Sequence, residues 1–396
     1  MTNPSNLFTV NVAKGAAPFD SSPTLTDITS RIRRITLTAG RMGPYGSFPA
    51  RSCAIEGDDS DAGFNGFDDV TVVPNIPVEV DVVAGATARR RFTGYLDGDS
   101  IVPRHPEAVV MGFTASDLTK FVARETNLGL GAVPEERTSD RFERVLDAIG
   151  VPASLRDIDI GSRYMVARDL NIDAASALTA CAVTDGPLAA WFVDREGRVR
   201  FDGRHCYRTR SQMASHSGTF STDPVLQEFF GAHKFARPLL SSVTEQHLYT
   251  AVRVTNANGD VADLTTGAKP YLRYPDTTTE SRLDPTADAQ MVLDLFSSPQ
   301  KYLHQITIQP AGDDATLAFV AGLDLRDRIQ VHYEPVNGGA DITKNCTIEQ
   351  ISETVGVGEL YTVTLTLFPT DPMDGLNTDD WLLIGTDSYG TGWWAP

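Results

Sequence analysis

Two groups of short alternating runs, separated by a helical centre, limit what this chain can fold into. On the N-terminal side Arg34-Ile35-Thr36-Leu37-Thr38 alternates up to Gly40, and residues 77–83 alternate. Residues 91–96 alternate up to Asp97-Gly98, and residues 108–113 form a continuous apolar strand. On the C-terminal side the strands are expected at 247–254, 305–309, 325–333, 346–353 and 361–368. In the last of these Thr362, Thr364 and Thr366 alternate with Val363, Leu365 and Leu367, giving one polar and one apolar face. Several short strands separated by turn residues predict a sandwich or small barrel on each side.

The centre reads differently. Residues 171–204 fit one helix followed by one hairpin. Asn171 or Asp173 caps the helix start, and Ala175, Leu178, Cys181 and Ala182 form its apolar stripe. Gly186 and Pro187 stop it. Trp191-Phe192-Val193 is a strand, Asp194-Arg195-Glu196-Gly197 a tight turn, and Val199-Arg200-Phe201 the returning strand. Two helices precede it. Ser116 or Asp117 caps the first, with Leu118, Phe121 and Val122 inward. Thr138-Ser139-Asp140 caps the second, where Phe142, Val145, Leu146 and Ile149 fall at helical spacing and Gly150 ends the run.

The expected fold class is therefore mainly β with an α+β insertion. Residues 1–24 are an arm, either disordered or ordering on a neighbouring subunit. Residues 25–112 are a first β-barrel or sandwich domain, and 113–235 a small α/β domain in which 205–235 is a solvated connection. Residues 236–396 are a second β-domain with an excursion at 261–304, a helix within it around 287–295, and a docked C-terminal tail carrying Trp381, Trp393 and Trp394.

The arrangement of helix, aromatic strand, D-x-x-G turn, strand and Arg resembles the central part of minor tail proteins of long-tailed phages that infect actinobacteria, and more broadly the baseplate hub proteins at phage tail tips. The flanks carry the same resemblance, in order: LTDITSRIRRITLTAGR, SCAIEG, VEVDVV, RRRFTGYLDG and VVMGFTASDL, then LDLRDRIQVHYEP, CTIEQISETVG and LYTVTLTLF. It covers residues 25 to about 384. It implies two β-barrel hub domains flanking the α/β domain, with residues 25–112 superposing on the second β-domain. It implies a homotrimeric ring whose six similar blocks adapt a threefold tip to the sixfold tail tube. The partners implied are the distal tail protein and tube above, the tape measure protein, and tip or receptor-binding tail proteins. The place is the virion's tail tip, after synthesis in the host cytoplasm.

Charge bears on this. Lys and Arg number 34 against 52 Asp and Glu, for a formal net charge of −18. That argues against a nucleic-acid coat and against sequence-specific nucleic-acid recognition, and it suits a conduit from whose walls phosphate is repelled. Arg31, Arg33 and Arg34, and Arg89, Arg90 and Arg91, are read as solvated strand faces and subunit salt bridges. Cys53, Cys181, Cys206 and Cys346 show no C-x-x-C spacing and are expected to be reduced, buried thiols. No apolar run reaches membrane-spanning length and no basic-then-apolar leader opens the sequence, so a soluble protein is expected.

The sequence offers no catalytic, cofactor-binding or metal-ligating residue. G-x-S-x-G, H-E-x-x-H and the phosphate-binding glycine loop are missing from it. Asp59, Asp61, Asn65 and Asp68 lie in an acidic, glycine-rich stretch, 56–70, that does not match a calcium loop and reads as an exposed loop. His205, His216 and His233 lack zinc-ligand spacing. Glu353 and Glu359 could be posed as a glycosidase pair, but are expected on an exposed hairpin. Asp194 and Glu196 invite an acid–base reading, yet Gly197 sits where a turn needs positive φ, so the hairpin is read as structural. The last long strand lies near the end of the sequence, so no lysozyme-like or peptidase module is expected after it. The alternative function is a receptor- or glycan-binding tail protein, with Tyr45, Phe48, Phe64, Phe67, Trp393 and Trp394 as its aromatic site.

Overall fold

The computed structural model describes residues 7–20, 22–41, 47–58, 71–104, 108–241, 248–267, 272–297, 302–310, 313–334, 341–356 and 361–370. The fold is mainly β. Along the chain, β1 (Phe8–Val12), β2 (Ile32–Gly40), β3 (Ser52–Asp58), β4 (Pro77–Ala84), β5 (Thr87–Arg104) and β6 (Ala108–Ser116) come first. The helices α1 (Thr119–Arg124), α2 (Thr138–Ala148) and α3 (Ala174–Asp185) follow, then the hairpin β7 (Ala190–Val193) and β8 (Val199–Asp202). Next are β9 (Thr219–Ser221), β10 (Ala236–Ser241), β11 (Ala251–Thr255), β12 (Val261–Thr265) and α4 (Thr286–Phe296). The chain continues through β13 (Tyr302–Ile308), α5 (Asp314–Gly322), β14 (Arg328–Tyr333), β15 (Ile342–Gly356) and β16 (Thr362–Pro369).

The two β segments are knit into one sheet. Its path runs β9, β14, β15, β2, β3, β6, β5, β4, β1, with β16, β13 and β10 branching from β15. The seam is the antiparallel β2–β15 pair, in which Gly40 opposes Gln350 and Arg34 opposes Gly356. Alternation works as expected: Val78, Val80 and Val82 of β4 and Val363 and Leu365 of β16 are fully buried, and one apolar core spans both segments. Thr366 on the nominally polar face of β16 is also buried and bonds Gln350 at 3.2 Å.

A second core belongs to α2, α3 and the hairpin. Asp173 caps α3 by accepting from the Ser176 N–H at 2.7 Å, and the α2 residues Phe142, Val145 and Leu146 are fully buried. Asp117 accepts from the Thr119 N–H at the start of α1. The expected cap of α2 is not made; Thr138 is already helical, and its hydroxyl donates to Asp185 at 2.7 Å. A third core joins β11 and α4, where Val252, Val254, Met291, Val292 and Leu295 meet.

Four expectations change. Residues 8–12 of the arm form β1, paired along their length with β4 of the same chain, and Phe8, Val10 and Val12 lie in the core. The 205–235 stretch supplies β9, which pairs in parallel with β14, so it is part of the sheet rather than a solvated connection. The strand expected at 247–254 is β11, and it sits in a separate three-stranded sheet with β12 and Thr277–Thr278, not in the second β segment's sheet. α5 was not foreseen: DATLAFVAG is apolar nearly all round, so it shows no helical stripe; Leu317, Val320 and Ala321 are buried, and Ala318 and Phe319 are half-buried against the same core.

Candidate functional site: a buried arginine and carboxylate junction

The structure concentrates its chemistry where the three cores meet. The middle of the site is the turn from α5 into β14, Leu323-Asp324-Leu325-Arg326-Asp327. Leu323 and Leu325 enter the apolar core, while Asp324, Arg326 and Asp327 are buried among charges. Asp324 Oδ1 takes the Arg51 guanidinium, and its Oδ2 accepts from the Arg195 N–H at the hairpin tip at 2.8 Å. One carboxylate thus clips the β core to the middle unit. Burial opposes its charge, but Arg51 and the Arg195 N–H outweigh that and hold its pKa down at about 2.

The last carbonyls of α5 receive two guanidiniums from different units. Arg195 reaches Ala321 O at 3.0 Å and also Gly322 O. Arg91 of β5 donates to Ala321 O at 3.1 Å and Leu323 O at 2.5 Å. Cations at a helix C-terminus match its orphan carbonyls and its dipole. Arg91 also pairs with Glu353, whose other oxygen accepts from the Tyr361 hydroxyl at 2.7 Å. Burial works against the Arg91 charge; Glu353 outweighs it and raises its pKa.

Arg326 extends the junction. It holds φ at +63° and is 2% exposed. Its guanidinium donates to Leu188 O at 2.8 Å and lies 3.1 Å from Asp202 of β8. Asp202 also pairs with Arg200 at 2.7 Å and Arg210 at 3.1 Å. The third core is attached in the same way: Asp288 of α4 takes Arg163 at 2.5 Å and Arg204 at 3.0 Å.

Sheet bulges deliver several of these charges. Register slips leave Arg33, Arg91, Asp97 and Glu349 as the extra residues in their pairs. Each is ion-paired: Arg33 with Asp58, Arg91 with Glu353, Asp97 with Lys120 and Glu349 with Arg41. A bulge breaks period-two alternation, so Arg91 and Phe92 can both be buried.

The hairpin is two-faced. Trp191, Val193, Val199 and Phe201 join the helical core, as expected, while Ala190 and Phe192 join the β core. Gly197 has φ +82°, and a Cβ there would stand 2.8 Å from Thr93 Cγ2. Asp194 accepts from the Arg198 N–H at 2.8 Å and pairs with its guanidinium. Beside the junction lies a cleft of about 150 Å³ touched by Phe48, Trp191, Tyr274 and Val292; its charged walls are Arg41, paired with Glu349, and Asp288.

The other sequence candidates scatter. Glu353 is 3% exposed and bound to Arg91, a correction to the exposed hairpin; Glu359 lies outside the described residues. Phe48 is buried, tilted against Phe192 with the Arg41 guanidinium over its ring, and is not part of an exposed aromatic platform. Tyr45, Phe64, Phe67, Trp381, Trp393, Trp394 and the Asp59, Asp61, Asn65, Asp68 set lie outside the described residues. His233 stacks on Phe319, and among the described residues no group of three metal-capable side chains occurs. All four cysteines are buried free thiols. Arg90 is half-buried against Glu79 and Asp81 of the adjacent strand rather than solvated. No helix among the described residues is long and apolar enough to cross a membrane.

No protein-family model matches the chain, and no curated protein matches it by sequence. Solved structures do. A tail protein from Neisseria meningitidis MC58 matches with a TM-score of 0.58 at 12% identity, over 91% of this chain and 96% of that one. The 43 kDa tail protein of prophage MuSo2 from Shewanella oneidensis matches with a TM-score of 0.57 at 13% identity, over 93% and 98%. The chain has the fold of phage tail proteins. A type VI secretion component from E. coli, itself described as similar to the T4 tail proteins gp27 and gp5, matches this tail-protein fold with a TM-score of 0.50 at 8% identity, over 91% of this chain and 76% of that one.

Proposed function

We propose that this chain is a structural tail-tip hub. Three copies form a ring that closes or adapts the sixfold tail tube, meets the distal tail protein and tape measure protein, and carries tip or receptor-binding proteins. The genome passes through without sequence recognition, and the chain has no catalytic role. In this reading the two β segments are related blocks, held by the α/β unit between them; three chains then supply six blocks, the simplest match between threefold and sixfold symmetry. The observation that carries it is the end-to-end correspondence with phage tail proteins, which spans nearly the whole of both chains. The β2–β15 seam supports it, because side-by-side blocks in one sheet suit a rigid ring segment. The test is electron microscopy and native mass spectrometry of the purified chain, with antibody-gold labelling of intact particles. Threefold rings and label at the tail tip are expected. A chain that stays monomeric at high concentration and labels the tube wall or head would end the hub reading.

A further inference from the structure

Among the described residues of the junction, Asp327 is a buried carboxyl that no ion pair matches. Asp327 follows Asp324 in the same turn, and the two are 8% and 7% exposed. The Asp324 N–H donates to Asp327 Oδ2 at 2.8 Å, and the Asp327 N–H returns to Asp324 O at 3.3 Å. Two buried carboxyls therefore share one hydrogen-bonded turn. The cations are divided unequally between them. Asp324 has Arg51 on one oxygen and the Arg195 N–H on the other. Arg195 commits its guanidinium to the α5 carbonyls, and Arg200 commits its own to Asp202. Both act on Asp327 only from further away. Arg326, between the two acids, is turned to Asp202 and Leu188. From the hairpin side Asp194 adds a further carboxyl facing Asp324, itself held by Arg198.

We propose that Asp327 makes docking of the hairpin tip on the β core proton-dependent, with the tip held firmly when Asp327 carries a proton and loosely when it is ionised. An ionised Asp327 repels Asp324, the carboxylate that receives the Arg195 N–H. The sign follows from linkage. Burial, then the Asp324 charge, pushes the Asp327 carboxyl up to about 7 in the docked state, against 3.8 ordinarily. A tip that lifts away wets the turn and returns Asp327 toward its ordinary value. The docked state binds the proton more tightly. Docking is thus strongest in acid, weakens as pH rises toward about 7, by up to about tenfold per pH unit, and levels off above that. Asp117, raised to about 6 by burial, takes its hydrogen bonds from the Arg51 N–H and from Thr119 rather than from the hairpin, so its titration serves as the control for a buried carboxyl off the tip.

The experiment is amide hydrogen exchange on the full chain between pH 6 and 8.5, corrected for intrinsic rates, read at Arg195, whose N–H makes the docking bond to Asp324, relative to β16. Protection at the tip should fall several-fold from pH 6 to 7.5 and then stay level, while β16 shows no such fall. Asp327→Asn keeps an acceptor for the Asp324 N–H but cannot titrate, and should abolish the fall; Asp117→Asn should retain it. Flat wild-type protection, a fall shared equally by β16, or a fall that survives Asp327→Asn would overturn the proposal. Should Asp327→Asn fail to fold, the wild-type profile at the tip relative to β16 decides alone.

Discussion

At the scale of single residues, the fold rests on positions where chemistry overrides pattern. Gly40 is one. It stands at the crossing of β2 and β15 with φ +97°, and a Cβ there would lie 2.1 Å from the Glu349 carbonyl oxygen and 2.7 Å from Leu325 Cδ2. Backbone cannot step aside as a flexible side chain can. Gly40→Ala should therefore cost several-fold more than the roughly 1 kcal/mol of an ordinary positive-φ glycine, read as a loss of denaturation midpoint. Arg91 is another. Arg91→Met strands Glu353 in the core and should cost about 3–5 kcal/mol by urea denaturation, whereas adding Glu353→Gln should recover part of it. A double variant no more stable than the single would mean that Glu353 is not the stranded group. The sequence showed RRR on a strand and suggested solvent. Nothing local announces that the third arginine is the extra residue of a bulge, because the slip is set by the partner strand's register.

At the scale of elements, strands with one clean apolar face were legible and those defined by distant partners were not. β4 follows its alternation and β16 does so as far as Leu365, and α3 with its hairpin was visible from its cap, its stop and the D-x-x-G turn. β1 was hidden because a five-residue run in a polar, Ser/Pro-rich segment says nothing about β4, some seventy residues on, which it covers. α5 was hidden because its apolar residues run all round it instead of marking one face. A test follows for β1. Removing residues 1–13 takes Phe8, Val10 and Val12 out of the core and bares the β4 edge. Each such side chain is worth about 1.5–3 kcal/mol when buried, so the truncated chain should be unstable by several kcal/mol and associate through the open edge. Size-exclusion chromatography that shows a soluble species of unchanged stability would mean that β1 is dispensable.

At the scale of the whole molecule, the sequence made the order of β, α/β and β segments visible but not their fusion. The seam, the shared core and the cross-core ion pairs all depend on contacts between residues far apart in the chain, 84 positions for Arg204 and Asp288 and 273 for Arg51 and Asp324, which no local period encodes. Those ion pairs also predict how the molecule comes undone. The third core is tied to the middle one through Asp288, whose carboxylate pairs with both Arg163 and Arg204. With these bonds intact the three cores should unfold in one calorimetric transition. Asp288→Ala removes the carboxylate that joins Arg163 and Arg204 to α4, a cost of about 3–5 kcal/mol, and should split off an earlier transition in which α4 and β11 become protease-sensitive. A single transition merely shifted to lower temperature would show that the third core has other anchors of equal weight.

The β2–β15 seam has a consequence for how the chain is made. Gly40 leaves the ribosome long before its partner Gln350 is translated. At roughly 5–20 residues per second, the intervening stretch of about 300 residues takes on the order of 15–60 seconds to synthesise. For that interval β2 has β3 on one side and no native strand on the other. The nascent N-terminal sheet waits with an open edge, and its completion is timed by the arrival of the chain's far end rather than by its own folding rate.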